Sequence, residues 1–407
     1  MIKKGLTGYF EDFLKKEPIF VNKSVLQSNY HPIEIPHREG QMNQIAQTLA
    51  PALRNNKPSN LFIYGKTGTG KTVSVNHTAD QMLGVAAQNG NKNLKVIYIN
   101  CKLKKIADTE YRLIAQLSRE LGKEIPITGL PTDEVYKIFF SALEEKRTTL
   151  ILVLDEIDQL MKKTGDEILY NLTRINSELT NSQVSIIGIS NDLIFADNLD
   201  PRVKSSLSEE EIIFPPYNAL QIQDILKQRS SKAFKEGVLE PGVIEKCAAY
   251  AAREHGDARR ALELLRVSAE LAERNGRAKV SIHDIDDAEE KIERERVVDI
   301  VIAQPKQFQT TLYSILQVSA GQRGLISTGE VYEVYKKVCY KTGTRPLTQR
   351  RVSDIVAELD MLGIINAKVT SKGRYGRTRE IELAINDSIL NKTKKILEKD
   401  LDLNTEG

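Results

Sequence analysis

Eight consecutive residues, Gly65, Lys66, Thr67, Gly68, Thr69, Gly70, Lys71 and Thr72, set three glycines, two lysines and three hydroxyls at fixed spacing. They fit G-x-x-x-x-G-K-[ST], the Walker A phosphate loop. The glycines let the backbone turn inward so that successive N–H groups converge on phosphate oxygens. The N-terminus of a following helix adds partial positive charge. Lys71 is placed to reach the β- and γ-phosphates, and Thr72 to hold Mg²⁺ through its hydroxyl. The apolar run Leu61-Phe62-Ile63-Tyr64 precedes the loop and a helix-compatible run follows it, the strand–loop–helix context that the motif needs. The bland reading, a glycine-rich surface turn, lacks that context.

Two further strand tips carry polar groups. Leu150-Ile151-Leu152-Val153-Leu154 is a continuous apolar run that ends in Asp155 and Glu156. Such runs mark strands buried on both faces of a parallel sheet, and ligands sit at their carboxyl ends. Asp155 is then a Walker B acid facing Mg²⁺, and Glu156 can orient or activate a water for attack on a γ-phosphate. The alternative is an exposed acidic turn. The run Val184–Ser190 ends at Asn191, which can hydrogen-bond a γ-phosphate or the attacking water. An isolated Asn more often serves as a turn or cap residue.

The elements that must position these groups alternate along the chain. Apolar runs at Leu61–Tyr64, Val96–Asn100, Leu150–Leu154, Val184–Ser190 and Glu211–Phe214 are separated by amphipathic stretches. This order implies βαβ crossovers and a mostly parallel sheet with helices on both faces. A helix over Met42–Leu53 is expected before the first strand. Pro215-Pro216 breaks the pattern, and 217–296 reads as almost purely helical. From Phe308 the character changes again. Helical segments Thr310–Ala320 and Gly329–Thr342 lead to a third from Thr348, then to apolar runs at Ile364–Val369 and Glu380–Ile385 joined by a glycine- and arginine-rich tip. Three helices and a hairpin are the order of a winged helix-turn-helix. The domains expected are an α/β nucleotide-binding base at 1–216, an all-α lid at 217–300, a winged-helix DNA-binding domain at 301–395 and a charged tail at 396–407.

The chain has 407 residues and a formal net charge of +3, so the distribution of charge matters more than its total. Phe308–Ile385 holds twelve Lys/Arg against seven Asp/Glu, which concentrates positive charge where a winged helix would meet phosphates. In Thr348–Leu359, the apolar Val352, Ile355, Val356 and Leu359 fall on one helical face. Thr348, Gln349, Arg350 and Arg351 fall in the first turn, where Arg suits guanine and Gln suits adenine in a major groove. Ser353 and the threonines suit phosphates. Lys372, Arg374, Tyr375, Arg377 and Arg379 occupy the tip, and arginines there suit a narrow minor groove. The alternative is a merely solvated basic hairpin. Three cysteines lie far apart without metal-ligand spacing, as incidental thiols of an intracellular protein would. No run approaches the roughly 20 apolar residues of a membrane span, and the first residues do not form a signal peptide.

The order of Walker A, Asp155-Glu156, strand-tip Asn191 and helical lid resembles the AAA+ ATPases. That resemblance makes Asn191 sensor 1, and Gly256-Asp257-Ala258-Arg259-Arg260 the sensor 2 motif with Arg259 reaching the nucleotide. The stretch Leu199–Leu207 falls where the family carries an arginine finger. Arg202 is the candidate, and Ser206 stands where many clamp-loader-like relatives have an arginine. From about residue 20 to 390 the chain resembles the archaeal origin-recognition and cell-division-control replication initiators. Pro36-His37-Arg38-Glu39, Asn60–Thr72, Asp155-Glu156-Ile157-Asp158, Asp200–Leu207 and Phe214-Pro215-Pro216-Tyr217 carry this resemblance. It implies that Tyr217 and Arg229 contact the nucleotide and that the insertion at about 102–134 touches DNA. It further implies ATP/ADP and Mg²⁺ as cofactors and slow hydrolysis serving as a switch. The implied partners are duplex origin DNA, the replicative minichromosome-maintenance helicase and other initiator copies, in a cytoplasmic, nucleoid-associated protein. Two rivals stay open at this point, a transcription-regulating or signalling NTPase with a winged helix and a clamp-loader-like subunit.

Overall fold

The structure is a computed structural model, and it describes Phe10 and residues 17–102, 107–126, 129–195, 199–207, 209–321, 326–371, 377–385 and 387–403. The chain forms two compact units, Met1–Ile285 and Asp286–Gly407.

The first unit is built on five parallel strands, β1 (Leu61–Tyr64), β2 (Leu94–Asn100), β3 (Thr149–Asp155), β4 (Gln183–Ser190) and β5 (Glu210–Ile213), in the order β2-β3-β4-β1-β5. All seven residues of the central β3 are buried, as its unbroken apolar run requires. Alternate β3 side chains enter opposite layers. Leu150, Leu152 and Leu154 pack with α3 (Glu110–Glu120), α4 (Thr132–Glu145), α5 (Ile157–Thr164) and α6 (Glu167–Arg174). Ile151 and Val153 pack instead with α1 (Glu39–Leu49) and α2 (Lys71–Gln88). The helix expected over Met42–Leu53 is thus α1, beginning earlier and tightening into a 3-10 turn, Ala50–Arg54, with Pro51 in its first turn. After β4, α7 (Pro201–Leu207) leads to β5.

Three helices follow the sheet, α8 (Ala219–Ala233), α9 (Val243–Arg253) and α10 (Ala258–Arg274). Asn218 and Gln221 form a reciprocal capping box at the start of α8, which satisfies two otherwise orphaned N–H groups. The segment ahead of α1 is a built part of this layer at Val21 and Lys23. Val21 N–H donates to the Ala233 carbonyl at 2.8 Å, and Lys23 pairs with Glu270 at 3.0 Å.

In the second unit, α11 (Ile282–Ile302), which begins in the first, leads to α12 (Lys306–Gly321), β6 (Ile326–Ser327), α13 (Thr328–Lys341), α14 (Gln349–Met361), β7 (Ile365–Ser371), β8 (Arg377–Leu383) and α15 (Asp387–Asp400). The strands form an antiparallel sheet in the order β6-β8-β7, so the expected hairpin gains a third strand of two residues. One core holds the unit together, with Leu312, Val331, Val356, Ile364 and Ile381 fully buried. α15 places Ile389 and Leu397 in the same core, and Leu401, just past its end, joins them. The stretch read as a charged tail from 396 therefore begins inside a packed helix, because these apolar side chains recur at helical spacing between the charges.

Candidate functional site

The loop between β1 and α2 has the backbone that its glycines foretell. Gly68 and Gly70 take φ of +69° and +90°, a region that costs other residues about 1 kcal/mol or more. Lys71 is buried, and its Nζ donates to the Gly65 carbonyl at 2.7 Å, the Lys66 carbonyl at 2.8 Å and Asn191 Oδ1 at 2.8 Å. Asn191 reaches it because β4 lies beside β1, with Ser190 opposite Tyr64. Burial lowers the Lys71 pKa to about 8, against the opposing pull of Asp155. Thr69 is buried and its hydroxyl closes the loop on the Lys66 carbonyl at 2.9 Å, while the Lys66 and Thr67 side chains face outward. Thr72 Oγ1 donates to Asp155 Oδ2 at 2.8 Å. A hydroxyl beside a carboxylate, at the edge of a phosphate-binding loop, is the hard oxygen set that suits Mg²⁺.

Glu156 sits one residue past the strand at φ +54°, an uncommon conformation for a side-chain-bearing residue. Its N–H donates to Asp155 Oδ1 at 2.9 Å, and its carboxylate lies 3.7 Å from Lys102 Nζ. The turn aims Asp155 and Glu156 differently, so the exposed-turn alternative fails for Asp155, which is buried. Tyr98, which the sequence reading passed over, donates to Asp155 Oδ2 at 2.5 Å. Burial first, and then the Asp155 charge, push its phenol well above the ordinary range.

The lid helices come directly against this loop. Asp257 caps α10 by accepting from the N–H groups of Arg259 and Arg260. The Ala258 N–H donates to the Gly68 carbonyl at 3.2 Å. A side chain at Gly68 would collide with the Asp257 carboxylate. Gly68, Gly70, Thr72, Tyr217, Arg229 and Arg259 line one open cleft. Tyr30 and His31 complete its wall from the N-terminal segment, and Arg229 lies over the Tyr30 ring at 4.5 Å. Arg38 is a second residue that sequence reasoning missed. It is only 2% exposed. Its guanidinium donates to the Thr69 carbonyl at 2.8 Å and the Pro215 carbonyl at 2.6 Å, and lies 3.8 Å from the Tyr217 ring centre. In the sequence Arg38 stands out only through the Pro36–Glu39 stretch that carries the family resemblance; in the structure it follows His37 at φ +63°.

Arg202 is not gathered into this cleft. Its side chain is 71% exposed, pairs with Asp200 at 2.9 Å and lies over Tyr170 at 5.1 Å.

In the second unit, Thr348 caps α14, its hydroxyl accepting from the Arg351 N–H. Gln349, Arg350 and Arg351 are exposed in the first turn, and Ser353 is half-buried. The four apolar positions of the opposite face, Val352, Ile355, Val356 and Leu359, are all buried. Arg351 pairs with Asp354 at 3.7 Å. Arg379 lies on β8, where its N–H donates to Thr328 Oγ1 at 3.3 Å. Lys372, Arg374 and Tyr375 fall outside the described residues, and Arg377 is described by its backbone alone. All three cysteines are buried thiols. Among the described residues no helix is long and apolar enough to cross a membrane.

Comparison with known proteins now bears on this geometry. Three family descriptions match in succession, an AAA domain over 54–193, a Cdc6 AAA+ ATPase-type lid domain over 223–290 and the CDC6 C-terminal winged helix domain over 299–393. The chain is 51% identical over 404 residues to an ORC1-type DNA replication protein of Thermococcus onnurineus, covering 98% of this chain and 96% of that one. It is 53% identical over 391 residues to ORC1-type DNA replication protein 1 of Archaeoglobus fulgidus, covering 96% and 93%. Among solved structures, the Aeropyrum pernix ORC1 protein in complex with DNA superposes with a TM-score of 0.83 at 44% identity, covering 95% of this chain and 98% of that one. A parallel AAA+ sheet, a Cdc6-type lid on its phosphate loop and a C-terminal winged helix, with half the residues shared along nearly the whole length, place the chain in the family of ORC1-type DNA replication proteins.

Proposed function

We propose that this protein is an ATP-dependent initiator of chromosomal DNA replication, in which ATP·Mg²⁺ binds between the base and the lid while the winged helix binds duplex origin DNA. The observation that carries the nucleotide half is the meeting of loop and lid: Gly68, Thr72, Tyr217 and Arg259 line one cleft although they are widely separated in sequence. The relatives' designation and the DNA-bound Aeropyrum pernix ORC1 support the DNA half.

In this reading the loop N–H groups and Lys71 hold the β- and γ-phosphates, and Arg229, Tyr217 and Arg259 hold the nucleotide from the lid side. Thr72 and Asp155 would hold Mg²⁺, and the chemistry it supplies when bound is neutralisation of charge on the transferring phosphoryl group. Glu156 accepts the proton of the attacking water, and Asn191 orients that water or the γ-phosphate. Arg202 is the residue left on the surface to reach a neighbouring copy's nucleotide. Gln349, Arg350 and Arg351 face the major groove, Thr348 and Ser353 contact phosphates, and Lys372, Arg374, Tyr375, Arg377 and Arg379 contact DNA from the wing, its arginines at the minor groove. Hydrolysis to ADP is slow and acts as a switch, and the loaded form helps recruit the minichromosome-maintenance helicase. The protein is cytoplasmic and nucleoid-associated in this reading.

Footprinting the protein across its own genome tests the reading. Protection of one or a few intergenic sites where replication starts is expected, and protection spread over many promoters would make it a regulator instead. For the chemistry, Glu156→Gln should keep ATP affinity within about twofold and lower turnover at least 100-fold. Loss of both together would reassign that residue to binding.

A further inference from the structure

Asp155 receives three hydrogen bonds, and their origins differ. The Glu156 N–H, at 2.9 Å from Oδ1, belongs to the adjacent residue. The Thr72 hydroxyl, at 2.8 Å from Oδ2, belongs to the phosphate-loop helix. The Tyr98 hydroxyl, at 2.5 Å from the same oxygen, comes from a neighbouring strand of the sheet. Strand register explains how it gets there. Tyr98 pairs with Val153 and Asn100 with Asp155, so Tyr98 and Asp155 point to one face and are diagonal neighbours. Leu94 and Val96, earlier in the same alternating row, pack into the apolar core beside α2. Tyr98 stands where that row leaves the core, and it is 40% exposed. A ring needed only for packing gains little there, whereas the hydroxyl makes the shortest of the three bonds.

We propose that Tyr98 is a positioning residue of the nucleotide site, whose hydroxyl fixes the rotation of the Asp155 carboxylate and thereby sets how much Mg²⁺ the site requires. The proposal rests on the reading of Asp155 as a metal-holding residue. An aspartate's terminal torsion is broad and roughly two-fold, so the N–H of the adjacent Glu156 and the Thr72 hydroxyl, itself assigned to the metal, leave it imperfectly fixed. A donor anchored in the sheet ties the carboxylate to the most rigid part of the base. Groups that orient metal-holding carboxylates typically change metal affinity 10–100-fold when removed.

The test is Tyr98→Phe in the full chain, which keeps the ring and removes the hydroxyl. Binding of a fluorescent ATP analogue is followed by anisotropy while Mg²⁺ is titrated, and again in chelator. The half-saturating Mg²⁺ concentration should rise about 10-fold, with affinity in chelator unchanged. An unmoved Mg²⁺ requirement, or an equal loss of affinity with and without Mg²⁺, overturns the proposal. Asp155→Asn is run beside it. If Asp155→Asn raises the requirement and Tyr98→Phe does not, the positioning role alone fails. If neither raises it, the metal reading of Asp155 fails and the proposal falls with it. In the Asp155→Asn background, Tyr98→Phe should add nothing.

Discussion

Lys71 shows how much one side chain's surroundings decide. Its ammonium is buried among two carbonyls and the Asn191 amide oxygen, and burial outweighs the attraction of Asp155, which leaves its pKa at about 8 instead of the ordinary 10.5. The folded protein therefore releases this proton at lower pH than the unfolded chain does. Between pH 8 and 10.5 the unfolded state holds more of it, so this residue's contribution to stability rises with pH across that window. A bound triphosphate restores the charge. Calorimetry of Mg·ATP binding in two buffers of different ionisation enthalpy should then register uptake of about half a proton at pH 8 and almost none at pH 6.5. No uptake at pH 8 would mean that the lysine stays charged in the free protein. The identity of this residue was legible in the loop pattern, and so were Thr72, Asp155 and Asn191, because motif spacing and strand tips encode them. Tyr98 and Arg38 were not. Tyr98 reaches Asp155 through the pairing of two strands 55 residues apart in register, and Arg38 joins Thr69 to Pro215 across the fold; neither relation leaves a local pattern.

Elements inherit their precision from a few positions where backbones nearly touch. Gly256, just ahead of α10, has φ +69°, and a Cβ there would lie 2.3 Å from the Tyr217 carbonyl oxygen. The Tyr217 N–H in turn donates to the Gly256 carbonyl at 3.3 Å, so neither backbone can yield. Gly256→Ala should cost on the order of 2–4 kcal/mol and weaken ATP binding, since Tyr217 lines the cleft. Gly90→Ala is the control. Its φ is +71° with open space around the Cβ, so it carries the conformational penalty of about 1 kcal/mol without the collision. Scanning calorimetry and ATP titration of both variants compare them, and equal effects would show that the Tyr217 contact contributes nothing. Strand and helix positions were read well from apolar runs and helical spacing. The missed element was β6, whose two residues are too few for a period; for α15 it was the packing that escaped, because its apolar positions lie among lysines. At the winged helix, α14 and the basic tip divide the work by chemistry. Arg350→Ala should relax sequence preference, costing about 1–3 kcal/mol at the site read and little elsewhere. Arg374→Ala should weaken all duplexes alike and reduce the salt slope by about 1. Duplex titrations at several salt concentrations separate the two, and unchanged affinity in both variants would remove DNA contact from this face.

At the scale of the whole molecule, the nucleotide cleft belongs to one compact unit and α14 to the other. A switch needs these two sites to share free energy, and that demand can be stated without any particular geometry. If ATP and duplex each favour one conformational state, the factor by which saturating duplex changes ATP affinity must equal the factor by which saturating ATP changes duplex affinity. Couplings of this kind typically amount to about 1–3 kcal/mol, a factor of about 5 to 150. ADP should give a smaller factor, because it lacks the γ-phosphate to which Lys71 and Asn191 are assigned. The measurement is a closed cycle: fluorescent-nucleotide titrations with and without duplex, and duplex titrations with and without nucleotide, at one salt concentration. Arg350→Ala should lower duplex affinity on both edges of the cycle and leave the coupling factor in place, because that side chain reads bases and does not set the state. Lys71→Ala should abolish tight ATP binding, and with it the effect of ATP on duplex affinity, while duplex binding without nucleotide persists. A factor of one on both edges would leave two independent binding sites on one chain, and the nucleotide would then act on something other than the grip on DNA.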